Sequence, residues 1–398
     1  MIATRWTVAL LVVTGCSTPH VPAPKPLCAG GPCALDRLVP LLDSALAAGA
    51  APGAVLGISF HGARYVHSAG RLALDDPNRP DGHTVYDLAS LTKVVATTTL
   101  AMQAVSEGRL DLDAPVQRYL PEFRGAGKER VTVRHLLTHS SGLRADSPLW
   151  RQTPTADSAL RFVLAMTLDT APGVRMVYSD MGAIVLGRVV EKVLGGRLDR
   201  LAKTRIFGPL GMSDTRFRPP ESWLSRLAPT EYDTGWRKRI VRGEVHDEKA
   251  ARMDGVAGHA GLFGSAVDLL TFGEWVLRSG GWDDGRTGVS EVPTSRHPVL
   301  RSTIREFTRR QNVVPGSSRA LGWDTPFPNS SAGTRLGEGS FGHTGFTGTS
   351  IWIDPTRELV IVLLSNRVHP IRNNPRIFPL RIAVANAVVD LLEPSGRR

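Results

Sequence analysis

Segments with strand-forming patterns lie near both ends of this chain, and helix-forming segments fill most of the part between them. Residues 53–67 contain two β-rich stretches separated by His61-Gly62, which predicts a hairpin. Residues 349–365 contain two more, joined at the turn signal Asp354-Pro355. A single sheet built from both ends would bury all four stretches. The pattern therefore predicts an α+β fold with an antiparallel sheet flanked by helices.

The middle of the chain is predicted to be a helical insert, over about residues 109–275, with frequent Pro and Gly breaks. Helices are predicted before it at 90–107, inside it at 183–194, and at the end at 378–392. We therefore predict one domain over residues 35–398. Its active site is expected at the seam between the sheet and the insert, because pockets often form between such layers.

The first 34 residues have the composition of an export signal and a tether. Arg5 precedes a short apolar run that ends at Gly15-Cys16, and such a run is too short to span a bilayer. The end of this run resembles the lipobox of bacterial lipoproteins, which implies cleavage after residue 15 and lipidation of Cys16. Residues 1–16 are thus predicted as a lipoprotein signal, and the Pro/Gly-rich residues 17–34 as a linker. The protein is expected to be exported and anchored by lipid to a bacterial membrane, on the periplasmic side or the cell surface.

The net charge of +11 comes mostly from arginine, because the chain has only seven lysines. A basic surface favours anionic partners in general. However, no basic run carries interleaved aromatic residues, so nucleic acid is not an expected partner.

Two pairs of potential ligand residues give no predicted metal site. Cys28 and Cys33 lie in the tether, where export makes a disulfide possible but two further zinc ligands are missing. His135 and His139 are four residues apart and could bind a metal from a helix, but the Glu of a zinc protease motif is absent. No metal and no cofactor is therefore expected, and a metal hydrolase using the paired histidines is the weakest alternative.

Ser90 and Lys93 form the one Ser-x-x-Lys sequence in the chain, at a predicted helix start. Residues i and i+3 share a helix face, so the two side chains should meet. The positive end of the helix dipole favours a developing alkoxide or oxyanion at Ser90. A lysine accepts a proton only when neutral, and the apolar neighbours of Lys93 predict a lowered pKa. This arrangement is typical of nucleophilic catalysis by serine.

Several segments in order resemble the motifs of class C β-lactamases, penicillin-binding carboxypeptidases and related esterases, over roughly residues 36–392. Asp87 to Lys93 resembles the nucleophile segment, and Tyr178-Ser179-Asp180 resembles the second motif, normally Tyr-x-Asn. His343-Thr344-Gly345 resembles the third motif, Lys-Thr-Gly or its variant with His. Two further segments, 133–143 and 207–212, resemble a helix and turn and a downstream segment of the same family.

The resemblance implies a role for each matching residue. Ser90 would attack the acyl carbon, Lys93 would take its proton, and Tyr178 would relay a proton to the leaving group. The backbone amides of Ser90 and Phe346 would form the oxyanion hole. The remaining candidates for substrate binding are Asp180, His343, Thr344, Gly345 and, from a Gly-rich run near the cleft, His259.

Two departures from the family pattern affect the expected substrate. Asp180 replaces an amide with a carboxylate and could keep Lys93 charged. His343 replaces a permanent cation with a group that is mostly neutral above pH ~6.5. We therefore expect weak β-lactam turnover and a preference for esters or peptides without a carboxylate.

The sequence thus predicts a serine hydrolase that forms an acyl-serine intermediate on a D-amino peptide, such as one derived from the cell wall, on a β-lactam or on a small ester. The alternative is a catalytically quiet protein of the same fold that holds wall peptides. An intact Ser90, Lys93 and Tyr178 set favours the enzyme, whereas Asp180 leaves room for the alternative.

Overall fold

The structure is a computed structural model that describes residues 25–28, 33–282 and 299–393. Its main sheet has five antiparallel strands in the order β2-β1-β8-β7-β6. Two come from the start of the chain and three from the end, which confirms the predicted layout. Their bounds are Gly53–Phe60 (β1), Ala63–Gly70 (β2), Phe341–Thr344 (β6), Ser350–Asp354 (β7) and Leu359–Ser365 (β8).

Helices surround this sheet and fill the middle of the chain. Two π-helical segments, Lys93–Thr98 and Lys203–Phe207, accompany the α-helices, and short 3-10 turns occur between elements. The α-helices are Val39–Ala47 (α1), Thr99–Ser106 (α2), Val133–Leu137 (α3), Leu149–Gln152 (α4), Ala156–Ala165 (α5), Asp180–Leu194 (α6), Leu198–Ala202 (α7), Gly208–Leu210 (α8), Glu248–Arg252 (α9), Ala266–Gly280 (α10), Arg301–Thr308 (α11) and Ile377–Leu392 (α12).

Strands β1, β7 and β8 of the main sheet are buried on both faces, to which consecutive residues point in turn. On β1, Val55 joins the larger core under the middle of the chain, whereas Leu56 and Ile58 join a second core beneath α1 and α12. Strand β8 follows the same alternation and pairs with β1 through Ile58 and Ile361. Burial on both faces explains why these strands read as nearly continuous apolar runs.

The predicted insert is not wholly helical. A three-stranded sheet of short strands, in the order β3-β5-β4, lies beside the nucleophile segment. Its strands are Tyr86–Asp87 (β3), Arg216–Phe217 (β4) and Leu262–Gly264 (β5). Helix α10, most of which falls within the predicted insert, packs on β1 and β8 and therefore belongs to the layer that covers the main sheet.

The N-terminal predictions lie largely outside the described residues. Cys16, the signal segment and most of the linker are among the residues that the structure does not describe. Cys28 and Cys33 are paired in a disulfide, with their Cα atoms 5.4 Å apart. No helix within residues 25–28, 33–282 and 299–393 has the length and apolar character needed to cross a membrane.

Candidate active site

Ser90 lies in a tight turn between β3 and the π-helical segment that begins at Lys93. The preceding residue, Ala89, has a positive φ of 46°, which is uncommon outside glycine. Its backbone N–H donates to the carboxylate of Asp87 at 2.8 Å, and the same carboxylate accepts from the N–H of His246 at 2.6 Å. Asp87 therefore fixes the strained turn that presents Ser90 to the cavity.

The ammonium group of Lys93 is buried and has three acceptors. Its Nζ donates to Ser90 Oγ at 3.0 Å, to Asp180 Oδ1 at 2.8 Å and to the main-chain oxygen of His259 at 3.1 Å. The three-residue spacing thus brings Ser90 and Lys93 together, as the sequence predicts. Three acceptors around one Nζ are the arrangement that a charged lysine requires.

The prediction that the apolar neighbours of Lys93 lower its pKa is wrong. Burial alone lowers the pKa of this lysine, but the neighbouring carboxylate of Asp180 and the phenol of Tyr178 outweigh burial, and the pKa is raised above its ordinary value. In turn, burial opposes the ionisation of Asp180, yet the charges of Lys93, His259 and Lys249 keep its pKa below the usual range. Lys93 therefore rests as an ammonium and must lose a proton before it can act as a base.

Tyr178 lies immediately before α6, with its ring between two histidines. The ring centroid is 4.5 Å from that of His139 and 5.8 Å from that of His343. His139 Nδ1 also accepts from the backbone N–H of Ser179 at 3.1 Å, which fixes the chain beside Tyr178. Lys93 Nζ lies 4.9 Å from the Tyr178 ring centroid. Ser90, Lys93 and Tyr178 are therefore grouped, as the resemblance implies.

The third motif forms the opposite wall on β6. Burial, together with the charges of Arg319 and Lys93, lowers the pKa of His343 well below its usual value, so this ring is neutral at pH 7. Its Nδ1 donates to the carbonyl of Thr344 at 2.8 Å. A side chain at Gly345 would place its Cβ 2.6 Å from the carbonyl oxygen of Leu88. The glycine thus allows the third motif to approach the nucleophile segment.

The expected oxyanion hole is compatible with the structure. Ser90, Thr344, Gly345 and Phe346 line one cavity of about 470 Å³. Within the described part of the chain, the backbone N–H groups of Ser90 and Phe346 have no acceptor. Two backbone amides that lack acceptors and belong to residues lining one cavity can serve as the donors that a developing oxyanion needs.

His259 is among the residues that line the cavity of Ser90, and its role as a substrate contact stays a prediction. Its side chain is 1% exposed, and Nε2 lies 2.9 Å from the carboxylate of Asp247. The part of His259 that reaches the catalytic group is its main-chain carbonyl, which accepts from Lys93. Asp247 thus engages one ring nitrogen, whereas Nδ1 is buried without a partner among the described residues.

Arg319 is a site residue that the sequence reasoning missed. Its guanidinium carbon lies 5.1 Å from the ring centroid of Tyr178, and it lines the cavity together with His343. The side chain is 12% exposed and is 3.8 Å from Asp324. Its Nε and Nη1 atoms are buried without an acceptor among the described residues. The cavity thus has a permanent cation, although His343 is neutral, and the reason for expecting substrates without a carboxylate no longer holds.

Lys249, on α9, is a second missed residue. Its Nζ lies 2.9 Å from Asp146, 3.3 Å from Asp180 and 3.0 Å from Asp247. In the sequence, Lys249 carries no motif of its own and is marked only by its place ahead of the Gly-rich run that includes His259. Which carboxylates Lys249 would contact depends on tertiary structure alone.

One group of side chains among the described residues has the spacing of a metal site. The ligand atoms of Asp180, Asp247 and His259 lie within 4.8 Å of one another. However, the ammonium of Lys249 contacts both carboxylates, and its charge would repel a metal cation. The alternative metal site at His135 and His139 is also disfavoured. In each ring Nδ1 accepts from a backbone N–H, so its lone pair is not free to bind a metal.

Comparisons with known proteins agree with this geometry. A family model described as Beta-lactamase matches residues 39–386. A putative D-alanyl-D-alanine carboxypeptidase of Escherichia coli (strain K12) is 32% identical over 361 residues, which cover 81% of this chain and 79% of that protein.

Solved structures show the same fold. EstCE1, described as a hydrolase with promiscuous acyltransferase activity, superposes with a TM-score of 0.68 at 24% identity, covering 89% of this chain and 98% of its own. A class C β-lactamase from Rhodobacter sphaeroides gives a TM-score of 0.69 at 22% identity, covering 90% of this chain and 100% of its own.

Proposed function

This chain belongs to the β-lactamase family and is a serine hydrolase, and from this premise we propose that it cleaves acyl donors that carry a carboxylate near the scissile bond. D-amino peptides with a free C-terminus are the substrates we favour. The observation that carries the proposal is Arg319, which lines the cavity together with Tyr178 and His343 and has two buried guanidinium nitrogens without an acceptor among the described residues.

Ser90 would begin the reaction by attacking the acyl carbon. Lys93, once neutral, takes the hydroxyl proton across the 3.0 Å contact. The backbone amides of Ser90 and Phe346 stabilise the oxyanion. As the acyl–leaving-group bond breaks, Tyr178 passes a proton to the leaving group. Water then attacks the acyl-serine and gives a proton to Tyr178. As the bond between the acyl carbon and Ser90 Oγ breaks, Lys93 returns a proton to Oγ, and the acid and free Ser90 are released.

Arg319 would select the substrate in this scheme. A guanidinium is charged at all physiological pH values and can bind a carboxylate through two parallel hydrogen bonds. Both a D-Ala-D-Ala peptide and a penicillin offer that carboxylate, whereas a short p-nitrophenyl ester does not. The carboxypeptidase description of the Escherichia coli relative supports the peptide as the natural class.

The test is intact mass spectrometry of the protein after mixing with those three donors. We expect an acyl adduct with the unchanged protein and none with Ser90→Ala. In Arg319→Met, acylation by the peptide and the penicillin should slow about 10- to 100-fold, because hydrogen bonds to charged groups contribute about 1.5–3 kcal/mol. Acylation by the neutral ester should change little.

Arg335→Met is the matched control, since Arg335 is 54% exposed, pairs with Asp390 and does not line the cavity. An equal loss with all three donors in Arg319→Met would reject carboxylate selection. The absence of both adduct and product with all three donors would count against the hydrolase and favour the quiet peptide-binding protein.

We also propose that the protein is exported and anchored to the membrane through a lipid on Cys16. The sequence before this cysteine supports the proposal, because a charged start, a short apolar run and small residues precede it. In a bacterial host, the protein should incorporate labelled palmitate and sediment with membranes, and Cys16→Ala should do neither. Membrane association of Cys16→Ala equal to that of the unchanged protein would contradict the anchor.

A further inference from the structure

The carboxylate of Asp180 lies between two lysine ammonium groups. Its Oδ1 accepts from Lys93 at 2.8 Å, and its Oδ2 lies 3.3 Å from Lys249. A carboxylate that faces two cations exerts a smaller net pull on each proton than one that faces a single cation. The charge that Lys93 experiences at this position is therefore set by Lys249 as well as by Asp180.

Lys249 is built into the site as a permanent charge. Its side chain is 8% exposed and contacts three carboxylates, from Asp146, Asp180 and Asp247. Burial opposes its ionisation, but the three carboxylates outweigh burial and raise the pKa of Lys249 well above its ordinary value. Lys249 thus stays charged through the pH range in which the enzyme would act.

We propose that Lys249 is a positioning residue that offsets the charge of Asp180 and so allows Lys93 to release the proton that a general base must lose. The Asp180–Lys249 pair then offers Lys93 an acceptor oxygen with little net charge, much as the amide of the usual Tyr-x-Asn motif would. This inference rests on the proposed function, because it takes Lys93 to be the group that activates Ser90.

The direction of the effect follows from the charges around both lysines. Removing the positive charge of Lys249 leaves Asp180 free to hold the Lys93 proton more tightly. The pKa of Lys93 then rises, and its neutral fraction at any given pH falls. The other titratable and charged groups near these two lysines are unchanged by the substitution. Those near Lys93 are Tyr178, His139, His343, Arg319 and His259. Those near Lys249 are Asp146 and Asp247.

A double-mutant cycle tests this coupling. The readout is the rate at which a fluorophosphonate modifies Ser90, since this probe reports the activation of the serine without requiring the natural substrate. We expect Lys249→Met to slow the reaction about tenfold at pH 7, which corresponds to about one unit in the pKa of Lys93. In an Asp180→Asn background Lys249→Met should still slow the reaction, because the Lys249 charge also acts directly on Lys93, whereas Asp180→Asn alone should quicken the reaction by removing the charge that holds the Lys93 proton.

Lys249→Arg is the conservative variant and should retain most of the rate, because it keeps the charge. If Lys249→Met leaves the rate unchanged, or if Asp180→Asn slows the reaction instead of quickening it, the charge of Lys249 does not help Lys93 to lose its proton and the proposal is overturned. The same conclusion follows if Lys249→Arg loses as much as Lys249→Met.

A nuclear magnetic resonance titration of lysine Nζ groups separates this proposal from the proposed function. The chain has seven lysines, and the Lys93 signal can be assigned by its absence in Lys93→Met. Lys249→Met should raise the observed pKa of Lys93 whether or not any acyl donor reacts. An unchanged pKa would overturn the role of Lys249, whereas failure of all acyl donors would count against the hydrolase alone.

Discussion

Replacing Lys93 with methionine should slow acylation of Ser90 by about a thousandfold at pH 7, in line with the roughly 10²- to 10⁴-fold contribution of a positioned general base. Methionine has a similar length and keeps the apolar contacts, but it can neither accept the Ser90 proton nor donate to the oxygen. A p-nitrophenyl ester, followed by release of p-nitrophenol in the first turnover, measures this step directly.

The control is Lys192→Met, because Lys192 is exposed on α6 and lies outside the cavity. Asp180 keeps Lys249 as a partner when Lys93 is removed, so thermal melting of the same samples can separate a lost base from a lost fold. Acylation by Lys93→Met at the rate of the Lys192 control would assign the base to another group, with Tyr178 the nearest candidate.

The main sheet could be predicted from the sequence because its strands obey simple rules. Strand β1 was predicted with its observed bounds, and the hairpin to β2 turns where His61-Gly62 indicates. A strand that is buried on both faces appears in the sequence as a continuous apolar run, and such runs at both ends of the chain predict a shared sheet. Strand β6 is not predicted, because it has only four residues and two of them, Gly342 and His343, are not strand-forming residues.

The helix that follows Ser90 has a geometry that its local sequence pattern does not predict. Its residues predict a regular helix over 90–107, but Lys93–Thr98 is π-helical. The wider turn is accompanied by a bond from Thr99 Oγ1 to the carbonyl of Val94, five residues earlier. Such turns are common at functional sites, and this one begins at Lys93, whose Nζ contacts Ser90 and Asp180.

Some chemical features of the site can be predicted from the sequence, and others depend on the fold. The meeting of Ser90 and Lys93 follows from a three-residue spacing, which any helical start would satisfy. The pKa of Lys93 does not follow from its neighbours in sequence, because the deciding charge belongs to Asp180, 87 residues away. Arg319 and Lys249 carry no periodic or motif signal, and only the fold brings their charges to the cavity.

Gly258→Ala should lower the free energy of unfolding by about 4 kcal/mol, a large effect for one methyl group. A Cβ at this position would lie 2.1 Å from the carbonyl oxygen of Ala183 and 3.0 Å from the Cα of Gly187. Both obstacles are backbone atoms of α6 and cannot rotate away. The helix and the loop would therefore have to separate, and urea unfolding can measure the cost.

The same separation should also reduce acylation of Ser90, because this contact holds two ligands of Lys93 in place. Helix α6 begins at Asp180, and the residue after Gly258 is His259, whose carbonyl accepts from Lys93. Gly339→Ala is the control, since no atom lies within 4 Å of its added Cβ, and it should change the free energy of unfolding by less than about 0.5 kcal/mol. If Gly258→Ala were as stable as this control, α6 and the loop would not be in backbone contact. Normal acylation in a destabilised Gly258→Ala would instead mean that Lys93 does not depend on this contact for its position.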